Sequence, residues 1–279
     1  MSASRPESPP QRVVPAATSP LTGHLVADAP QRGTVAGVHR YGVYVGVAGT
    51  VVPVLCRDAV ALPTAVRLGV ASHEIVWGVR AGDDVRVGSG AVRLGRLEVR
   101  ATRTWRPARV RVRAGVPGGT TRDGETPLAP LLAPAGAPEW LVRGARAAVT
   151  AADPTEAVAS VVGRGAGLTP SGDDALAGAL LVHHALGGPS PALVVAVRGR
   201  LASTTAVSAA LLDAAADGWA APQVVALVDA AVSGDRDAVA RHLPAVLAIG
   251  HTSGRDLVTG VDAALHALVP HTPTGRTAA

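Results

Sequence analysis

The sequence predicts an α+β protein, with a small antiparallel β barrel or sandwich in the N-terminal part followed by an all-helical C-terminal domain. Short β-branched runs separated by glycine-containing turns occupy residues 24–113. From residue 139 onward, alanine, leucine and valine recur at helical spacing. A chain of 279 residues is long enough for two domains of ordinary size.

The β part is predicted from the length and spacing of its apolar runs. "TVAGVH", "GVYVGV" and "TVVPVLC" cover residues 34–39, 42–47 and 50–56, and residues 83–105 continue with valine or leucine alternating with arginine. Several short strands joined by such turns are typical of a small barrel or sandwich.

The helical part is predicted from seven segments, several of which have recognisable start signals such as Pro154, Pro222 and Asp235. We expect a disordered tail at residues 1–23, a β domain at 24–113, a Gly/Pro-rich linker or loop at 114–138, a helical domain at 139–270 and a second tail at 271–279. The predicted helices are residues 139–152, 153–162, 174–186, 191–218, 221–234, 235–250 and 254–268.

Composition excludes several classes of protein. There is no phenylalanine, so the core must be aliphatic, and no lysine, which argues against an ordinary P-loop or a Schiff-base enzyme. The one cysteine, Cys56, excludes an intramolecular disulfide and a multi-cysteine zinc site. Because no apolar run reaches membrane-spanning length and the N-terminus lacks the apolar region of a secretory signal, we expect a cytoplasmic protein without membrane contact.

Charge is distributed unevenly along the chain. Up to Pro138 there are 17 arginines and 9 acidic residues, and after it 9 arginines and 12 acidic residues. Arg109, Arg111 and Arg113 alternate in this basic part, which fits either a solvated strand face or a surface for an acidic partner. Nucleic-acid binding is the weaker alternative, because only Tyr41 and Tyr44 are placed to stack on bases.

A short pattern, S-G-x-D-x-x-x-G, occurs twice, at Ser171–Gly178 and at Ser253–Gly260. Both serines suit an N-cap, and the glycine after each lets the backbone approach a neighbour closely. An aspartate in each first turn is favoured by the helix dipole, and the last glycine fits close contact between helices. The pairs are Ser171 and Ser253, Gly172 and Gly254, Asp174 and Asp256, and Gly178 and Gly260.

The first copy carries more polar groups than a helix start needs. Thr169, Ser171, Asp173 and Asp174 supply four oxygen-bearing side chains, and Gly163, Gly165 and Gly167 can expose backbone amides. This pattern predicts a site for an anion or phosphate, with Mg²⁺ on Asp173 and Asp174 as an open alternative. The structural alternative is that both copies are only well-capped helix starts.

Three further groups are candidates for the same site. Thr205 and Ser208, with Thr204, fall near one face of a predicted helix, where they either bond to carbonyls or line the site. His251, between Gly250 and Thr252, is a plausible donor to an oxyanion. Ser171 is not in a G-x-S-x-G setting, so we assign it to positioning or anion binding rather than to nucleophilic attack.

"GAGLTPSGDD", "TTAVSAALLDAAADG" and "GHTSGRD" together resemble a bacterial family that includes the H subunit of oxamate carbamoyltransferase, an enzyme of allantoin and oxalurate catabolism. "TWRP" at Thr104–Pro107 extends the resemblance, and Ala175 departs from it, since relatives are expected to have an aromatic residue there. The matching residues are Gly165, Gly167, Leu168, Thr169, Pro170, Ser171, Gly172, Asp173 and Asp174, then Gly250, His251, Ser253, Gly254 and Asp256.

The resemblance implies a subunit of a transferase that moves a carbamoyl group between oxamate and phosphate. We therefore expect a small anionic substrate, other subunits as partners and no certain cofactor. The alternatives are a non-catalytic scaffold that binds partners through the basic β surface and a nucleic-acid-binding barrel. The expected catalytic residues are Asp173, Asp174, Ser171 and His251, and the expected substrate-binding residues are Gly165, Gly167, Thr169, Gly172, Thr205, Ser208, Ser253, Gly254 and Asp256.

Overall fold

A computed structural model describes residues 12–113, 128–132, 136–187 and 191–268. Most of the predicted linker and the whole tail at 271–279 lie outside these residues. Contacts divide the chain into two compact units, Met1–Pro107 and Ala108–Ala279. The expected α+β architecture, with a β barrel first and helices second, is confirmed.

The N-terminal unit is a closed barrel of eight strands in the order β1-β5-β4-β3-β2-β6-β7-β8. A short helix, α1 (Gly23–Ala27), follows the first strand. The strands are β1 (Arg12–Thr18), β2 (Gln31–His39), β3 (Gly42–Val47), β4 (Thr50–Leu55), β5 (Val66–Leu68), β6 (Asp84–Gly88), β7 (Ala91–Leu94) and β8 (Leu97–Thr104).

The barrel is mixed, which corrects the expected antiparallel arrangement. β1 pairs in parallel with β8 and β4 pairs in parallel with β5, while the other neighbours are antiparallel. Closure produces one of these parallel pairs, because the first and last strands of the barrel run in the same direction. The predicted tail at 1–23 is also wrong for residues 12–18, which form β1 and bury Val14 and Ala16 in the barrel.

The barrel core is built from small aliphatic side chains, as the absence of phenylalanine requires. Val43, Val45, Val52 and Val54 of the β3–β4 hairpin are all fully buried. Burial and nearby carboxylates raise the pKa of the Cys56 thiol to about 11, so this cysteine is a core residue. Two hairpins turn through pairs with positive φ at both positions, as tight β turns require: Ala48-Gly49 and Ser89-Gly90.

Within the described ranges, the second unit contains nine α-helices. The predicted helix at 191–218 is divided in two, because residues 199–205 leave the α-helical path before Thr205 caps a new helix. The helices are α2 (Ala129–Leu132), α3 (Glu139–Thr150), α4 (Thr155–Val161), α5 (Ser171–Ala185), α6 (Pro191–Arg198), α7 (Ala206–Ala216), α8 (Pro222–Val232), α9 (Arg236–Leu247) and α10 (Ser253–Leu268).

A two-stranded ribbon in this unit corrects the expectation that it is all-helical. β9 (Ala108–Arg109) pairs antiparallel with β10 (Trp219–Ala220). Arg109 and Arg111 therefore belong to this unit rather than to a barrel strand, where Arg109 lies over the Trp219 ring and Arg111 pairs with Asp229. Two arginines of the predicted basic strand face, Arg109 and Arg111, instead contact the Trp219 ring and the Asp229 carboxylate of the helical unit.

Helices α5 and α10 form the central pair of the helical unit, and they approach each other through glycine. A Cβ atom added to Gly178 would lie 2.2 Å from the backbone oxygen of Leu257. One added to Gly260 would lie 1.7 Å from the backbone oxygen of Ala175. The last glycine of each S-G-x-D-x-x-x-G copy thus permits close contact with the other helix, as predicted.

No helix among residues 12–113, 128–132, 136–187 and 191–268 is long and apolar enough to cross a lipid bilayer.

Replacing Gly260 with alanine is expected to destabilise the protein, because the new methyl group cannot be accommodated without separating α5 from α10. Overpacking of this kind costs about 1–3 kcal/mol of unfolding free energy or more. Urea denaturation would measure it. Gly199→Ala is the matched control, since a Cβ there would meet its nearest atom, the Val195 oxygen, only at 3.2 Å. Equal stability of the two variants would contradict the close crossing.

Candidate functional site

Helices α5 and α10 begin in the same way, so the sequence repeat is also a structural repeat. The second residue of each helix donates its backbone amide to a loop carbonyl: Gly172 to Arg164 at 2.9 Å and Gly254 to Ile249 at 3.0 Å. Neither glycine has room for a side chain. A Cβ on Gly172 would lie 1.9 Å from the Val161 oxygen, and one on Gly254 would lie 2.0 Å from the Val246 oxygen.

The two serines of the repeat do not cap their helices, which corrects the sequence-based expectation. Ser171 is the first residue of α5, and the preceding Pro170 occupies the cap position with an extended backbone. Because α10 begins at Ser253, Thr252 precedes it in the same way. The Ser253 hydroxyl is instead 2.9 Å from the Thr169 hydroxyl and bonds to it, which links the loop before α5 to the start of α10.

Asp173 is a structural residue in this arrangement. Its side chain is only 2% exposed, and both carboxylate oxygens accept hydrogen bonds. The backbone amide of Gly163 donates to Oδ1 at 2.8 Å, and the Thr204 hydroxyl donates to Oδ2. Asp173 thus ties the glycine-rich loop to the segment before α7, and its expected catalytic role stays a prediction.

Thr205 and Ser208 are also engaged within the protein. Thr205 is the N-cap of α7, where its hydroxyl oxygen accepts from the Ser208 backbone amide at 3.1 Å. The same hydroxyl donates to the backbone oxygen of Leu168. Ser208 is 2% exposed. These residues fix the position of the loop that carries Thr169, and their expected contact with a substrate stays a prediction.

Asp174 lies at the meeting point of the two helix starts. Burial raises the pKa of its carboxyl to about 8, and the neighbouring carboxylates of Asp256 and Asp173 contribute to the rise. The hydroxyls of Ser253 and Thr169 are close enough to oppose it, but they do not outweigh burial. Asp174 Oδ2 is enclosed and has no hydrogen-bond partner in the described part of the chain.

Asp256 is the corresponding residue of α10, and its side chain is completely buried. Both Nε and Nη2 of Arg255 donate to its Oδ1, at 3.2 and 3.1 Å. Asp256 Oδ2 receives no hydrogen bond from any residue within the described ranges. The site therefore contains two enclosed carboxyl oxygens, one on each helix, that the protein itself leaves unpaired.

The glycine-rich loop forms the exposed side of the site. Gly163, Gly165 and Gly167 all have positive φ, of 70°, 129° and 93°, and residues 164–167 are exposed. At Gly165 a Cβ would lie 2.5 Å from the backbone nitrogen of Ser171, so this glycine is required by close contact as well as by its φ. The Arg164 guanidinium lies 4.1 Å from the centre of the Trp140 ring.

The structure brings most of the predicted residues together, with one clear exception. Thr169, Asp174, Ser253 and Asp256 meet at the helix starts, whereas His251 is exposed and hydrogen-bonds to none of the described residues. No group of three or more histidine, cysteine, aspartate or glutamate residues is arranged to hold a metal ion in the ranges that the structure describes. The Mg²⁺ alternative, which involves only Asp173 and Asp174, stays a prediction.

Arg255 is the residue that the sequence interpretation missed. It occupies the variable position of the second S-G-x-D copy, where the first copy has Asp173. The sequence shows this difference in charge between two otherwise matching motifs. It does not show which residue Arg255 contacts, because only the folded chain brings Arg255 into an ion pair with Asp256.

The chain is an α+β protein of two units, and the second unit pairs two polar helix starts. Residues 161–265 match the family described as oxamate carbamoyltransferase subunit AllH. The resemblance stated from the sequence is thereby confirmed for this segment, which includes the whole site, and it indicates a subunit of an oxamate carbamoyltransferase complex. No solved structure matches the chain.

Replacing Thr204 with valine is expected to destabilise the fold, because it removes the hydroxyl donor and leaves Asp173 Oδ2 buried and unpaired. An unsatisfied buried acceptor costs about 1–3 kcal/mol. The unfolding free energy in urea would show the loss. Thr204→Ser is the control, since it keeps the hydroxyl. If valine and serine gave the same stability, the structural role of Asp173 would be wrong.

Stability should depend on pH through Asp174. Its pKa rises from 3.8 to about 8 on folding, so the folded chain binds more protons than the unfolded chain between these values. Stability is therefore full below about pH 4 and falls as the pH rises towards 8, by at most about 1.4 kcal/mol per pH unit. Asp174→Asn, which cannot ionise, should lose this slope.

The window from pH 6.5 to 8 isolates this effect, because Cys56, whose pKa rises from 9.0 to about 11 on folding, adds a slope of the same sign only at higher pH. His183 has a pKa lowered by burial from 6.5 to about 4, so it contributes an opposite slope only below pH 6.5. Thermal or urea unfolding at several pH values would compare wild type with Asp174→Asn. Asp237→Asn, at an exposed first-turn aspartate of α9, is the control and should behave as wild type. Parallel curves for all three proteins would contradict the raised pKa.

Proposed function

We propose that this chain is a subunit of a carbamoyltransferase complex resembling oxamate carbamoyltransferase, and that it binds a small anionic substrate where α5 and α10 begin. The candidate substrates are carbamoyl phosphate, phosphate and an oxamate-like acid. The observation that carries the proposal is the pair of enclosed oxygens, Asp174 Oδ2 and Asp256 Oδ2, neither of which accepts a hydrogen bond from the described residues. Buried polar groups nearly always have a partner, and a bound ligand would supply it here.

The surroundings of the pair suit a small polar ligand. The glycine-rich loop presents residues 164–167 to solvent next to the start of α5, and backbone amides at such a place attract anions. Arg255 adds a fixed positive charge beside Asp256. The hydroxyls of Thr169 and Ser253 lie between the two helix starts and can donate or accept.

Carbamoyl transfer needs substrates held in position and charge stabilised as it develops. Asp174 can also exchange a proton with a substrate near neutral pH, because burial raises its pKa to about 8. We therefore retain Asp174 as the proton-transfer residue of the predicted set. Asp173 holds the loop, Ser171 begins α5, and His251 is available only from the solvent side.

Thermal-shift and calorimetric titrations with carbamoyl phosphate, phosphate and oxamate test the proposal directly. A ligand present at a hundred times its Kd should stabilise the folded protein by about 2.7 kcal/mol. We expect at least one of the three to raise the Tm of wild type and of the Asp237→Asn control. Asp174→Ala, which removes the whole carboxyl group, should lose most of the shift while remaining folded.

The titration is repeated on the chain purified with its co-expressed partner subunits, because a partner can complete the site. If none of the three compounds binds in either form, the proposal is wrong. It is also wrong if Asp174→Ala binds as tightly as wild type, since the ligand would then lie elsewhere.

A further inference from the structure

We infer that Asp174 and Asp256 form a clamp for a primary amide: the two carboxyl groups hold the –C(=O)NH₂ end of the substrate, and its anionic end lies outside the pair. The inference rests on the proposed function and specifies which part of the substrate the site reads. It makes Asp256 a specificity-determining residue and Arg255 a positioning residue for it.

The orientation of Asp256 is the first step of the argument. Its side chain has no exposed surface, and two nitrogens of Arg255 bind one oxygen, Oδ1, at 3.1 and 3.2 Å. The carboxylate cannot rotate without losing both bonds. Oδ2 is therefore held in one place as an enclosed acceptor, and no donor from the described residues reaches it.

The second step is the difference between the two carboxyl groups. Two neighbouring enclosed carboxylates cannot both ionise without strong repulsion. Arg255 occupies Asp256 Oδ1 with two N–H donors and leaves Oδ2 as an acceptor, while burial and the nearby carboxylates raise the pKa of Asp174 to about 8. Asp174 therefore holds a proton that it can donate near neutral pH, beside the acceptor oxygen of Asp256.

A primary amide has the complementary arrangement. Its carbonyl oxygen accepts a hydrogen bond and its nitrogen donates one, a short distance apart in one plane. A carboxylate or phosphate group offers acceptors only, so it would place negative oxygens against the acceptor oxygen of Asp256. The pair thus favours the amide end of a carbamoyl compound and repels the anionic end, which leaves the exposed glycine-rich loop to receive the anion.

Two pairs of ligands of nearly equal shape test this inference on the wild-type protein. Oxamate and pyruvate differ only by NH₂ against CH₃, and carbamoyl phosphate and acetyl phosphate differ in the same way. A site that hydrogen-bonds a substrate N–H rejects an analogue that lacks it, because a buried acceptor is left unpaired. Calorimetric Kd values for the chain, alone and with its co-expressed partners, should be at least tenfold weaker for each methyl compound.

Asp256→Asn tests the residue itself. Arg255 offers two donors, so the amide oxygen of the new side chain must face it, and its NH₂ group then replaces Oδ2. A donor would face the substrate NH₂. Oxamate binding should weaken at least tenfold and pyruvate binding less than threefold, so that the preference disappears. Asp237→Asn should keep the preference of wild type.

The outcomes separate the two proposals. Equal affinity of wild type for oxamate and pyruvate, or binding of phosphate without either carbamoyl compound, overturns the clamp and leaves the proposed function standing. Binding of none of the compounds overturns both. A folded Asp256→Asn that still prefers oxamate also overturns the clamp, and the wild-type comparison decides the matter if that variant does not fold.

Discussion

The close crossing of α5 and α10 is the constraint on which the candidate site depends. Gly178 and Gly260 let each helix backbone touch the other, with Leu257 and Ala175 as the opposing residues. Because the helices meet this closely, their first turns are brought together and Asp174 comes within electrostatic reach of Asp256. A larger residue at either glycine would separate the helices and, with them, the two carboxyl groups. Packing and electrostatics are therefore coupled in this unit.

The two copies of the repeat have the same backbone and different chemistry. Each helix start has a glycine pressed against a preceding helix, an amide bonded to a loop carbonyl and an aspartate one turn into the helix. The variable position differs between the copies: Asp173 binds the glycine-rich loop, whereas Arg255 bonds to the aspartate beside it. A duplicated scaffold thus holds one carboxyl group whose pKa is raised by burial, Asp174, and one that is paired with an arginine, Asp256.

The family match and the site coincide along the chain. Residues 161–265 run from the last residue of α4 into α10, and they include the glycine-rich loop, both helix starts and the α7 cap. The barrel lies outside that match. The family match and the candidate site therefore lie in the same unit of the chain.

Local sequence was enough for the fold class, most helices and the repeat. Strand-length valine runs and helical spacing of alanine and leucine are local patterns, and the S-G-x-D-x-x-x-G motif pointed to close helix contact at Gly178 and Gly260. The same local patterns could not reveal β1, which has Pro15 within it and is stabilised by pairing with the distant β5 and β8. The barrel was expected to be antiparallel because local patterns do not show which distant strands pair. Closure of the barrel places β1 beside β8, and these two strands are parallel.

The roles of the individual site residues were decided by tertiary structure alone. From the sequence, Asp173 and Asp174 were two equivalent adjacent carboxylates. Folding gives Asp173 two donors and gives Asp174 an enclosed oxygen without one, because adjacent residues on a helix point in different directions. The sequence by itself determined which polar residues gather at the start of each helix. Only packing over long sequence separation determined which of them are hydrogen-bonded within the protein and which keep an unpaired oxygen.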